Sequence, residues 1–209
     1  MPKQKLSNLL ALAVLSLLHE KPMHPYEAGI HMKQRGMNDV IKLNTGSLYA
    51  IIDALLKKKL IQPVGTEREG KHPERTIYEP TPDGTTVLFD WLRSLVRMPA
   101  KEYPQFSAAL AFLGHLSPEE TITLLEERIV KLRQTTSEVR AEMEQVLKTG
   151  LDRLFLVEQE YSLAMREAEL KWVEALAADI RNEVYTKMAD GKLIWAVTYQ
   201  EKPFESDAD

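Results

Sequence analysis

The chain contains no cysteine in 209 residues. That excludes disulfides, thiolate metal sites and thiol nucleophiles, and it fits a reducing cytoplasm. Long apolar runs are also missing. The longest, around Leu9 to Leu18, has the length of one amphipathic helix and not of a membrane span. The basic start Met1-Pro2-Lys3-Gln4-Lys5 before that run has the charge of a secretion signal. No small-residue cleavage site follows it, and the run is better used as a core helix. Catalytic motifs are absent too: there is no P-loop, Gly-x-Gly-x-x-Gly, nucleophile elbow or His-Glu-x-x-His. His24 and His31 are two helical turns apart, too wide for metal coordination from adjacent turns. Glu119, Glu120, Glu126 and Glu127 read as capping and surface charges. The chain is expected to be a cytoplasmic non-enzyme with no cofactor and no metal.

Surplus charge is small, with 27 Lys and Arg against 31 Asp and Glu, a net of −4. Its distribution is uneven. Residues 1–84 hold 12 basic and 9 acidic side chains, a net of +3, and residues 85–209 hold the remaining 15 and 22, a net of −7. Local field governs attraction to phosphate, so a basic first part permits a nucleic-acid face. The 44% of hydrophobic residues suffices to bury a core.

Leu6, Leu9, Leu10, Val14, Leu17 and Leu18 recur at helical spacing and predict a first helix ending near Lys21-Pro22. His24-Pro25-Tyr26-Glu27 opens a second, with proline in the first turn and a capping candidate three residues before Glu27. It ends at Arg35-Gly36. Asn44 or Thr45 caps a third helix. Leu48, Ile51, Ile52, Leu55 and Leu56 form its buried face, and Gly46, Tyr49, Ala50, Asp53 and Lys57 the opposite one. Ile61 to Val64 and Thr76 to Glu79 are strand-like, and the charged loop from Gly65 to Arg75 makes them a hairpin wing. Thr81-Pro82-Asp83-Gly84 starts a fourth helix carrying Val87, Leu88, Trp91, Leu92 and Leu95. Met98-Pro99-Ala100 and Pro104 mark a boundary.

Beyond the boundary the chain reads as helix. Ser117-Pro118-Glu119-Glu120 is a capping box. From it, Ile122, Leu125, Ile129, Leu132, Thr136, Val139, Met143 and Val146 step by alternating threes and fours, a heptad seam with one polar interruption. The seam supports dimerisation, and an intramolecular hairpin with the next helix fits the same periodicity. A second long helix after Gly150 carries two stripes. One is Leu154, Tyr161, Met165, Ala168 and Trp172, and the other Leu156, Leu163, Leu170 and Ala177, so it needs partners on two sides. Asp190-Gly191 ends it. The last residues, with Glu201, Glu205, Asp207 and Asp209, read as a solvated tail that leaves Trp195 and Tyr199 unexplained.

The expected fold is mainly α with a small β-wing. Residues 1–98 form a winged helix-turn-helix, residues 104–188 an α-helical dimerisation and effector domain, and residues 189–209 a tail. A helix fits the major groove, and a wing reaches the flanking phosphates. Thr45, Gly46 and Ser47 let the helix tip approach closely, and its dipole favours phosphate. Tyr26 and Tyr49 have hydroxyls for phosphate; in a winged helix used for protein contacts, Tyr49 would simply pack on the second helix. Lys71, His72 and Arg75 supply the wing's charge, and Lys3 and Lys5 a basic arm. Sequence preference is expected to rest on Asn44, Asp53, the wing and the spacing fixed by a dimer; Asp53 repels phosphate but could accept from a cytosine amino group. The partner is double-stranded DNA. A winged helix used as a protein-interaction adaptor is the alternative.

These residues resemble the PadR family of bacterial transcriptional regulators. Within residues 1–98 the likeness is carried by Leu12-Ala13-Val14-Leu15-Ser16-Leu17-Leu18, Pro25-Tyr26-Glu27, Gly46-Ser47-Leu48-Tyr49 with Leu55 and Leu60-Ile61, and Arg75-Thr76-Ile77-Tyr78 leading into Thr81-Pro82-Asp83-Gly84. Residues 106–175 look like the C-terminal helical domain of the family's longer subgroup. The match there rests on Ala111-Phe112-Leu113, Leu125 with Arg128, Glu160-Tyr161 and Glu169-Leu170-Lys171-Trp172. His24 stands where many relatives have glycine. The resemblance implies a homodimer through the C-terminal helices, a palindromic operator, usually repression, and often release by a small aromatic or hydrophobic effector. Dimerisation is expected through Ile122, Leu125, Ile129, Leu132, Leu163, Leu170 and Trp172. Phe106, Phe112, Phe155, Tyr161, Met165 and Trp172, with His115 reading a carboxylate, are candidates for the effector cavity, and ordinary core is their plainer role.

Overall fold

The computed structural model describes residues 8–37, 41, 45–67 and 75–196. Their contacts divide the chain into two units that meet between Glu102 and Tyr103.

The first unit is built around α1 (Leu9–Glu20). Asn8 caps it, its Oδ1 accepting the Leu10 N–H at 2.9 Å. Leu10, Ala11, Ala13, Val14, Leu15, Leu17 and Leu18 are buried, which leaves the helix apolar nearly all round, as suits a central element. Next comes α2 (Pro25–Gln34), which is followed by Gly36 at φ +67°. It buries Ala28 and Met32 and runs close to α3 (Thr45–Lys57). A Cβ on Gly29 would stand 3.2 Å from Leu48 Cδ2. Beyond α3, Lys59 takes the left-handed conformation at φ 56°. The Leu60 N–H then returns to Leu55 O at 3.0 Å, closing a Schellman turn without glycine.

The wing consists of β1 (Ile61–Glu67) and β2 (Arg75–Pro80), antiparallel, with an irregularity between Pro63 and Gly65. An isolated bridge between Met23 and Tyr78 ties β2 to the turn before α2. Then α4 (Pro82–Arg97) starts at Thr81, whose Oγ1 accepts the Gly84 N–H at 3.0 Å and donates to Lys59 O at 2.8 Å.

The second unit comprises α5 (Gln105–Ala111), α6 (Pro118–Lys148), α7 (Val157–Arg181) and a hairpin of β3 (Thr186–Ala189) and β4 (Lys192–Trp195). Short 3-10 turns at Leu113–His115 and Arg153–Leu156 precede the two long helices. The heptad seam of α6 is engaged within the chain. Leu125 and Ile129 are buried against Val173, Ala177 and Ile180 of α7, with Ile122, Leu132 and Leu170 packed around them. The intramolecular hairpin, one of the two expected readings, therefore occupies Ile122, Leu125, Ile129 and Leu132, and these four are not a free dimer surface. Charge follows the same geometry. Glu126, Arg133 and Arg140, seven residues apart on α6, pair with Arg181, Glu174 and Glu167, seven apart on α7.

The described part of the expected tail, residues 189–196, is structured. The second long helix ends at Arg181, not at Asp190-Gly191, because Glu183 adopts φ 58° and the Val184 N–H bonds Asp179 O at 2.9 Å. Asp190 and Gly191 both have positive φ, 51° and 72°, and join β3 to β4 as a two-residue hairpin turn. Trp195 is explained by this hairpin: its indole N–H donates to Leu116 O at 2.8 Å and its ring packs on the α6–α7 core. The Leu193 N–H donates to Glu119 Oε1 at 2.9 Å, a second clasp on the start of α6. Tyr199 lies outside the described residues. No described helix is long and apolar enough to cross a membrane.

Candidate nucleic-acid interface

The amphipathic pattern of α3 decides which side chains face outward. Leu48, Ile52 and Leu55 are buried against α1 and α2, which leaves Gly46, Tyr49, Ala50, Asp53 and Lys57 exposed along one face. The hydroxyl ends of Tyr26 on α2 and Tyr49 on α3 belong to half-exposed rings, 55% and 48% accessible. Both tyrosines therefore project from their helices and neither is core.

Beside that face, α2 and the root of the wing meet. The Met23–Tyr78 bridge sets β2 against the α2 N-terminus, and this brings Arg75 onto Tyr26. The Arg75 guanidinium carbon lies 5.0 Å above the ring centroid. The His24 ring stacks on Tyr26, with centroids 6.1 Å apart and planes 23° apart. An open groove of about 260 Å³ runs past His24, Tyr26, Tyr49, Asp53, Arg75 and Tyr78. A second, of about 330 Å³, shares His24, Tyr26 and Arg75 and continues toward Lys21 and Glu67. Glu67 is the cross-strand partner of Arg75.

The sequence-derived DNA-facing residues thus divide in three. Tyr26, Tyr49, Asp53 and Arg75 converge on one groove. Gly46 and Ser47 lie in the first turn of α3 beside it, and Thr45 opens that helix. Asn44, Lys71 and His72 lie outside the described residues, as does the side chain of Thr45. His24, Thr76 and Tyr78 also line the groove and were not expected there. For His24 the available signal was its place directly before Pro25, a capping position that fixes the ring at the helix entrance.

The effector candidates in the second unit do not gather as expected. Phe106 meets Trp172 edge-on at 6.3 Å, and Arg128 lies over Phe106 at 3.7 Å while its Nε donates to Glu169 at 2.7 Å. Phe112 and His115 stack separately at 6.5 Å. Phe155, Tyr161 and Met165 are exposed. The reason is the register of α7 and of the turn before it: Leu156, Val173, Ala177 and Ile180 turn inward, so the stripe of Leu154, Tyr161, Met165 and Trp172 turns outward. Leu163 and Leu170, of the second stripe, are half-buried, Leu170 against the α6–α7 core.

Residues 14–90 match the model of the transcriptional regulator PadR-like family. The structure is similar to that of PadR from Bacillus subtilis in complex with operator DNA, at 20% identity and a TM-score of 0.67, covering 83% of this chain and 99% of that one. The same protein in complex with p-coumaric acid aligns at 18% identity, the same coverage and a TM-score of 0.69. The virulence activator AphA from Vibrio cholerae aligns at 19% identity and a TM-score of 0.61, covering 83% of this chain and 98% of that one. No curated protein sequence matches the chain. At such identities the structural likenesses establish the fold, a winged helix followed by a helical region, and the segment similar to the transcriptional regulator PadR-like family is the part that holds α2, α3 and the wing.

Proposed function

We propose that this chain is a DNA-binding transcriptional regulator, a repressor that grips a palindromic operator as a homodimer. The observation that carries the reading is the single face shared by the exposed side of α3, Tyr26 and Arg75. It combines a helix of groove-fitting size, tyrosine hydroxyls and an arginine held beside them, the set needed to position a helix against phosphates. The likeness to a protein crystallised on operator DNA supports it.

Dimerisation is assigned to the outward stripe of the second unit. Leu154, Val157, Tyr161, Met165 and Trp172 are all exposed, at 74%, 52%, 66%, 54% and 49%, and follow one another by threes and fours apart from Ala168 between the last two. Monomeric proteins rarely leave so continuous an apolar stripe in water. A second copy placed there by two-fold symmetry presents two α3 helices to one duplex, about one turn or ~34 Å apart. A small aromatic acid is the proposed releasing effector, by analogy with the p-coumaric acid complex.

Binding of the chain's own upstream region, measured across a salt series, tests the central claim. Log affinity should fall with log salt at about −0.9 per phosphate neutralised. Absence of binding to any duplex at low salt defeats it. Tyr161→Glu should yield monomers and weaken binding to the palindrome; an unchanged dimer mass would move the interface elsewhere.

A further inference from the structure

His24 has two ring nitrogens with different tasks. Nδ1 accepts the Glu27 N–H at 3.1 Å and caps α2, so that nitrogen carries no proton. In the neutral ring the proton therefore belongs to Nε2. Nε2 stands 3.5 Å from Arg75 Nη1, and a guanidinium nitrogen only donates. Two N–H donors thus face one another, and neither can satisfy its neighbour. An acceptor oxygen set between them would take both hydrogen bonds. Tyr26 holds this arrangement in place, because it lies under the Arg75 guanidinium and against the His24 ring.

Charge around the pair selects the kind of acceptor. Arg75 supplies a cation, which favours an anionic oxygen. Glu67 is its cross-strand neighbour and Asp53 lines the same groove, so the surroundings disfavour a free anion held by these two donors alone. A phosphate delivered as part of a duplex docked on α3 is held by many other contacts and overcomes that repulsion.

We propose that His24, as the neutral Nε2–H tautomer, is the second donor to the DNA backbone phosphate that Arg75 binds. Residue 24 thereby joins α2 capping to phosphate recognition through a single ring. The assignment rests on the DNA-binding reading above.

The test compares the wild-type chain with His24→Asn and Arg75→Gln on a labelled mixed-sequence duplex, over a salt series. Asparagine is a strong N-cap acceptor, so the helix start survives while the Nε2–H is lost. His24→Asn should weaken binding about tenfold, as loss of a hydrogen bond to a charged group does, with the salt slope unchanged. Arg75→Gln should reduce the slope by about 0.9, one phosphate contact. If the asparagine variant does not fold, judged by circular dichroism, His24→Ser supplies the cap instead.

Wild-type affinity in the asparagine variant overturns the proposal and leaves the DNA reading standing. So does a reduced slope in that variant, which would mean a charged imidazolium contact. A wild-type chain that binds no duplex defeats both. Independently, nitrogen-detected NMR of the free full-length protein should find the His24 proton on Nε2, and a proton on Nδ1 overturns the proposal.

Discussion

Replacing Gly84 with alanine tests how tightly α4 is docked on the end of α3. The new Cβ would sit 1.9 Å from the Leu60 carbonyl oxygen, 2.8 Å from its carbon and 3.3 Å from Leu60 Cα. All three contacts are backbone, so no rotamer change relieves them. The first turn of α4 would have to retreat by roughly an ångström or more to reach ordinary contact distance. That retreat strains the Thr81 N–H bond to Leu60 O at 3.0 Å and the Thr81 hydroxyl bond to Lys59 O at 2.8 Å. Overpacking costs about 1–3 kcal/mol and a weakened cap about 1 kcal/mol, while the helix preference of alanine over glycine returns about 1 kcal/mol. The net expectation is a loss of about 2 kcal/mol, or a fall in Tm on the order of 10 °C for a unit of this size. Gly29→Ala is the internal comparison. Its Cβ meets only the flexible Leu48 Cδ2 at 3.2 Å, so the helix preference and the contact should nearly cancel. Urea and thermal unfolding of both variants decide the matter. A Gly84→Ala protein as stable as wild type, or more stable, refutes the reasoning, since propensity alone predicts that result.

Three further outcomes are expected. The Thr136 hydroxyl is buried without a hydrogen-bond partner, unlike Thr123 and Thr135, which donate to the carbonyl four residues back; Thr136→Val should therefore raise stability by about 1 kcal/mol in urea melts. Deleting residues 184–209 should destabilise the second unit by about 3 kcal/mol, because Leu193 and Trp195 leave the core and both clasps on α6 are lost; an unchanged urea midpoint would show that the hairpin contributes nothing. The hydrogen bond from Arg35 and the attraction of its charge hold the Glu20 carboxyl below its ordinary value, outweighing desolvation. A lowered carboxylate pKa stabilises the fold above the ordinary glutamate range and loses that contribution as pH falls through the lowered value. Glu20→Gln should consequently flatten part of the acid limb of a stability-versus-pH curve, by less than about 1 kcal/mol for so exposed a pair.

Local signals account for what could be read directly. The periodicity of α3 separated Leu48, Ile52 and Leu55 from Tyr49 and Asp53, and the burial follows that division. Caps at Thr81 and Ser117 were legible because a hydroxyl three residues before a free backbone N–H is a local geometry. The end of the second long helix was misread although its signal was present. Asp190-Gly191 ends a helix or turns a hairpin, and Met188, Leu193 and Trp195 around it made the hairpin the better reading. The groove needed more. Arg75 lies 51 residues beyond His24 and nearly as far beyond Tyr26, and nothing local states that the Met23–Tyr78 bridge will bring it to them.

The chain's own order of residues determined the elements, their caps and the two-sided character of α7, since these depend on neighbours within one or two turns. Tertiary structure alone decided which side was used. A heptad seam is satisfied equally by a second copy or by the next helix, and only packing showed that Leu125 and Ile129 close on Val173, Ala177 and Ile180. That choice sent Tyr161, Met165 and Trp172 outward, where a second copy can meet them. In the same way the cap at His24 was local, but the donor facing it across 3.5 Å came from β2, 51 residues further along the chain. Sequence sets what each segment can bury, and the fold decides what it is buried against.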